Sequence, residues 1–86
     1  MEITKKCDKI WLDKVASGEK PFEIRLADWN INKGDILILK EVINGEETGR
    51  VIRKKAGWIQ KTKDMNYFTK EEVNKYGYQI IQLENE

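Results

Sequence analysis

Hydrophobic residues change their period several times along the chain, and each change predicts an element. From Asp8 to Ser17, Trp11, Leu12, Val15 and Ala16, with Ile10 beside them, recur at helical spacing. Gly18 then supplies a residue able to close the helix in the left-handed conformation. From Pro21 to Leu26 the period falls to two, with Phe22, Ile24 and Leu26 on one face of a strand and Glu23 and Arg25 on the other. Asn32-Lys33-Gly34-Asp35 is turn chemistry, and it opens onto Ile36 to Val42. The aliphatic continuity of that run predicts burial on both faces and a central place in the sheet. Asn44-Gly45 predicts a two-residue hairpin, because both residues tolerate the positive φ of a type I′ turn. The return strand is expected from about Thr48 to Ile59, with Gly57 marking a bulge or bend. Thr69-Lys70-Glu71-Glu72 matches a capping box. It predicts a short helix from Lys70 to Tyr76 that stops at Gly77, with Tyr67 and Phe68 before it as a hydrophobic staple. Tyr78 to Leu83 reads as a last strand. Four or five short strands, two small helices and no regular β-α-β alternation predict an α+β fold, a small partly closed β-barrel of about five strands.

Composition narrows the function classes. A chain of 86 residues is read as one domain, residues 1–86. It is too short to hold a cofactor domain and a substrate domain together. Histidine is absent, which removes the commonest general base, the usual metal ligand and every Ser-His or Cys-His nucleophile pair. Cys7 is the only cysteine, so neither an internal disulfide nor a cysteine-based zinc site is expected, and a reducing, cytoplasmic setting fits. Packing is the default role for that thiol, although Lys5, Lys6 and Lys9 lie near it in sequence. The longest aliphatic run, Ile36-Leu37-Ile38-Leu39, falls far short of the roughly 20 residues of a membrane span. The N-terminal residues lack the apolar core of a signal peptide.

The net charge of +1 gives no global case for nucleic acid, so any electrostatic case must be local. From Thr48 to Lys63 there are six basic residues, Arg50, Arg53, Lys54, Lys55, Lys61 and Lys63, and no acidic ones, with Trp58 among them. Such a stretch suits a phosphate-facing surface on which an aromatic stacks an unpaired base. Its alternative is a solvated strand with Trp58 turned into the core. The densest candidate site is Gly18-Glu19-Lys20-Pro21-Phe22-Glu23-Ile24-Arg25. A strand places Glu23 and Arg25 on one face about 7 Å apart along the backbone, close enough to meet or to share a ligand. Lys20 has the wrong parity for that face and joins them only if the chain turns at Pro21. The plain alternative is a surface ion pair contributing roughly 0–1 kcal/mol. Trp29, in the loop after this strand, either stacks a ligand or caps the barrel end, whereas Trp11 reads as core.

The pattern Gly18-x-Lys20-x-x-Glu23-x-Arg25 resembles the G-x-K-x-x-E-x-R signature of the ASCH domain, a family with the PUA-like barrel fold. The helix before the glycine, Lys33-Gly34-Asp35 ahead of Ile36-Leu37-Ile38-Leu39, and Thr48-Gly49-Arg50 after the hairpin extend the resemblance from about Cys7 to Leu83. It implies a cleft floored by the motif strand and lined by Lys20, Glu23 and Arg25; Trp29, in the loop after that strand, sits close to where such a cleft would open. The implied partner is RNA or a nucleotide-like ligand; on the charge distribution, Arg50, Arg53, Lys54, Lys55, Trp58 and Lys61 are the candidate nucleic-acid contacts. Neither cofactor nor metal is implied, and a monomer is presumed. Some ASCH proteins resemble amidohydrolases acting on N4-acetylcytidine, in which the lysine matching Lys20 is catalytic; in that alternative Lys20 and Glu23 carry the reaction. Those enzymes have threonine where this chain has Glu23, and a neighbouring carboxylate favours the charged form of a lysine rather than its reactive free base. A protein-binding domain is the third reading.

Overall fold

The computed structural model describes residues 1–64 and 70–86. In chain order the elements are β1 (Glu2–Asp8), α1 (Lys9–Ser17), β2 (Phe22–Leu26), β3 (Ile36–Ile43), β4 (Glu46–Lys61), a 3₁₀ turn (Thr62–Asp64), α2 (Glu71–Lys75) and β5 (Tyr78–Glu84). The strands form one five-stranded mixed sheet in the order β1-β3-β4-β5-β2, curled into a half-barrel against two short helices, an α+β fold. No helix among the described residues is long and apolar enough to cross a membrane.

Local chemistry accounts for most of the joints. Gly18 ends α1 at φ 82°, and its N–H bonds to the Val15 carbonyl at 3.2 Å. Asn44 and Gly45 take φ of 52° and 82°, joining β3 to β4 through the expected two-residue turn. The Asn32–Asp35 turn is locked in three ways. Asp35 Oδ2 accepts the Asn32 N–H at 2.8 Å, Asp35 Oδ1 meets the N-terminal ammonium at 3.3 Å, and Gly34 N–H bonds to the Ala56 carbonyl at 2.8 Å. The Asn32 amide holds the Asp35 carboxyl below its usual range.

Two expectations about the sheet are corrected. The first eight residues, from which no strand was expected, form β1, paired in parallel with β3 from Glu2↔Ile36 to Asp8↔Val42. The inward positions of β1 are Ile3, Lys5 and Cys7, of which only Cys7 is fully buried, so the hydrophobic alternation that marks a strand is weak. The middle strand is β4 and not β3, and one face of β3 is only half-buried along most of its length, with Val42 near its end the buried exception. Leu37, Leu39 and Glu41 are buried, while Ile36, Ile38 and Lys40 are half-buried. β4 runs for 16 residues because two irregularities let it bend between its neighbours. One lies opposite Glu41; the other, between Ala56 and Ile59, takes up the extra residue at Gly57.

The core gathers Leu12 and Val15 of α1 with Cys7, Ile31, Leu37, Leu39, Ala56, Ile81 and Leu83. Each leucine or isoleucine fully buried here contributes about 1.5–3 kcal/mol. α2 is shorter than expected and starts from Lys70, which caps it with no side-chain bond. The capping-box residue Thr69 and the staple residues Tyr67 and Phe68 lie outside the described residues.

Candidate ligand cleft

β1 and β2 are the two edges of the half-barrel, and the site lies where they approach without pairing. β2 is inverted relative to an ordinary amphipathic strand. Its charged positions face inward, Glu23 opposite Ile81 and Arg25 opposite Gln79, both of which are wholly buried. Ile24, 54% exposed, and Phe22, 38% exposed, face outward. Glu23 is only 2% exposed. A carboxylate so far from water must be paired, because its desolvation costs several kcal/mol.

Both oxygens are paired. Glu23 Oε1 accepts from Lys20 Nζ at 2.9 Å and Oε2 from Arg25 Nε at 2.8 Å. Lys20 overcomes its parity because the chain turns through Pro21: the Lys20 N–H is fixed to the Lys14 carbonyl at 3.0 Å and the Pro21 carbonyl accepts the Leu83 N–H at 2.9 Å. The Lys20 ammonium also donates to the Phe22 carbonyl at 2.9 Å, which leaves one of its three hydrogens without an acceptor among the described residues. Arg25 Nη2 donates to the Lys6 carbonyl of β1 at 2.8 Å, a single bond that spans the seam between the two edge strands. Among the described residues the three further guanidinium hydrogens find no acceptor.

The trio floors a cleft of about 750 Å³. Trp11 and Lys14 of α1, Lys6 and Cys7 of β1, Val42 of β3 and the outward Phe22 and Ile24 complete its walls. Trp11 is therefore not core as expected; it is 48% exposed. Only Leu12 and Val15 of α1 are buried, and Trp11 sits on the shoulder of that stripe, beside the open seam. The charged lining, Lys6, Lys14, Lys20 and Arg25 against Asp8, Glu19 and Glu23, leaves one excess positive charge. Burial first, and then the nearby Glu23 carboxylate, push the Cys7 thiol above its usual value, so it packs as a neutral side chain. Among the described residues no group of three or more His, Cys, Asp or Glu is placed to hold a metal ion.

The structure separates Trp29 from this constellation. Trp29 is not part of the cleft lining; it packs half-buried against the core, with Lys5 Nζ 4.2 Å from its ring centroid and its carbonyl accepting from the buried Gln79 amide at 3.3 Å. Trp11, Phe22 and Ile24 supply the apolar walls instead. Sequence reasoning missed them as site residues, although the inverted charge pattern of β2 was a signal that its outward apolar face would stand free.

The basic stretch of β4 divides. Arg50 bridges Asp13 of α1 at 2.6 Å and the buried Glu41 at 2.8 Å, and Thr48 Oγ1 donates to the other Glu41 oxygen at 2.8 Å. Arg53 is clamped between Glu2 at 2.9 Å and Glu86 at 2.7 Å. Lys54 donates to Asn85 at 3.1 Å. Lys55 is exposed and Lys61 half-buried. Trp58, the aromatic residue of this strand, is 65% exposed and does not turn into the core.

Among curated proteins no match is found. The solved structure of the hypothetical protein PH0355 shares the fold, with a TM-score of 0.70 over 98% of each chain at 20% identity. The sequence itself matches a family model from residue 4 to residue 80, from the first strand into the last and across the whole cleft motif, so the chain belongs to the DUF3850 family, a domain of unknown function.

Proposed function

We propose that the protein is a binding module that holds a nucleotide or a segment of single-stranded RNA in the cleft between β1 and β2. The observation that carries this reading is the Lys20–Glu23–Arg25 trio. One buried carboxylate fixes an ammonium and a guanidinium side by side, each with hydrogens to spare, at the floor of a cleft walled by Trp11 and Phe22. Fixed cations suit phosphate or the acceptor edges of a base, and aromatic walls suit its face. The resemblance of Gly18-x-Lys20-x-x-Glu23-x-Arg25 to the ASCH signature points the same way.

Titration with nucleoside monophosphates and short RNAs, followed by tryptophan fluorescence, tests it. Quenching by the monophosphates is expected to vanish in Trp11→Phe, affinity to fall about tenfold in Arg25→Ala through loss of charged hydrogen bonds, and binding to weaken steadily with added salt. Absence of binding, or binding indifferent to Arg25, overturns it. The amidohydrolase alternative needs Lys20 to offer a lone pair, whereas its ammonium donates to Glu23 and to the Phe22 carbonyl. Release of cytidine from N4-acetylcytidine that is abolished by Lys20→Ala replaces binding with catalysis.

A further inference from the structure

The outer face of the sheet beside the cleft carries a row of groups that starts at the cleft wall and runs beyond it. Phe22 on β2 pairs with Gln82 on β5. On the far side of Gln82, the β4 bulge lifts Trp58 outward, opposite in parity to its neighbour Ile59, which packs against the core. The bulge also fixes the glutamine: the Trp58 N–H donates to Gln82 Oε1 at 3.2 Å. Gly57 permits this, since a Cβ there would meet Gln82 Oε1 at 2.6 Å. Phe22, Gln82 and Trp58 thus stand in line across three adjacent strands, on the order of 10 Å from the first to the last.

Two features tie the row to the cleft. Phe22 belongs to both, being a wall of the cleft and the first member of the row. Lys20 Nζ, on the cleft floor, lies 5.1 Å from the Phe22 ring centroid, placing a positive charge where a phosphate would cross. The row is not a continuous apolar patch. Aromatic rings alternate with an amide, and the charged Lys55 and Glu84 stand opposite each other in the neighbouring register, a composition unlike the apolar core of an interface between protein subunits.

We propose, building on the cleft reading, that a single strand of RNA leaves the cleft across this face, one base stacking on Phe22 and a later base on Trp58, with Gln82 contacting the base between them. Base–aromatic stacking is tolerant of sequence, so this surface lengthens the footprint and adds little base preference.

AMP and a hexa-adenylate RNA, titrated against the wild type and single variants, test it. The hexamer is expected to bind at least tenfold more tightly than AMP. Trp58→Ala is expected to remove about tenfold of that gain while leaving AMP affinity unchanged, with Trp58→Phe retaining most of it. A hexamer that binds no better than AMP, or binding indifferent to Trp58, overturns the extension; Arg25-dependent AMP binding then leaves the cleft reading standing. Hexamer binding that needs Trp58 but not Arg25, with AMP unbound, overturns the cleft reading and keeps the outer row. Self-association in sedimentation, lost in Trp58→Ala without RNA binding, assigns the face to a second copy of the chain and overturns the proposal.

Discussion

The cleft floor and the basic strand β4 are built from the same residue types and use them oppositely. In the cleft, one carboxylate that is 2% exposed serves two cations, so the cations are held in place and still have hydrogens to offer. On β4 the proportion reverses: Arg50 faces Asp13 and Glu41, and Arg53 faces Glu2 and Glu86. Each of these arginines is shared between two carboxylates drawn from distant parts of the chain. They fasten α1, the first strand and the C-terminus to the sheet, and their charge is neutralised where it stands. A basic run in a sequence is therefore not yet a basic surface; what decides is where the carboxylates land.

The contrast can be broken at its strongest point first. Glu23→Ala leaves Lys20 and Arg25 as neighbouring, partly buried like charges and is expected to cost about 3 kcal/mol, read as a lowered urea midpoint with unchanged slope. A midpoint equal to that of the wild type would mean that the trio is an ordinary surface cluster. Next comes Glu41→Ala, which removes the buried acceptor of Arg50 and Thr48 and is expected to cost about 2 kcal/mol. Arg53→Ala should lower the urea midpoint far less than either, because exposed pairs contribute little. In the RNA titration it should leave the salt slope unaltered; a slope reduced by close to one would restore Arg53 as a phosphate contact.

The smallest expected effect is in acid. Hydrogen bonds from Arg53 hold the Glu2 and Glu86 carboxyls below their usual range, and one from Arg50 does the same for Asp13. A depressed folded-state value contributes stability above the ordinary carboxylate range, near pH 4, and that contribution is lost as pH falls through the ordinary and then the folded values. Stability plotted against pH should therefore decline less steeply below about pH 4 in Arg53→Ala than in the wild type. Identical acid limbs would show that the clamp is not formed in solution.

How far the site could be read depended on how locally its geometry is set. Glu23 and Arg25 are two apart on a strand, so their meeting follows from strand geometry alone, and Lys20 joins through the turn at Pro21. The Asn44-Gly45 hairpin, the Gly57 bulge and the Gly18 helix end are equally local, each resting on what one or two residues permit the backbone to do. β1 was not legible, because its partner is separated from it in sequence by α1 and β2 and its own inward positions hold a lysine between an isoleucine and a cysteine. Nor was the exchange of roles among the tryptophans, since a residue's periodicity does not tell whether the neighbouring sheet closes over it.

The sequence by itself determined the α+β class, the turns, the motif strand and the pairing of its charges, because those depend on residues within a few positions of one another. Only the tertiary structure decided that the sheet leaves its β1 and β2 edges unpaired and that Trp11 lines the opening while Trp29 packs against the core. It alone decided, too, that the arginines of β4 are spent on carboxylates up to 51 positions away. Contacts of that range exist only once the sheet has curled, and the curl is a property of all five strands together.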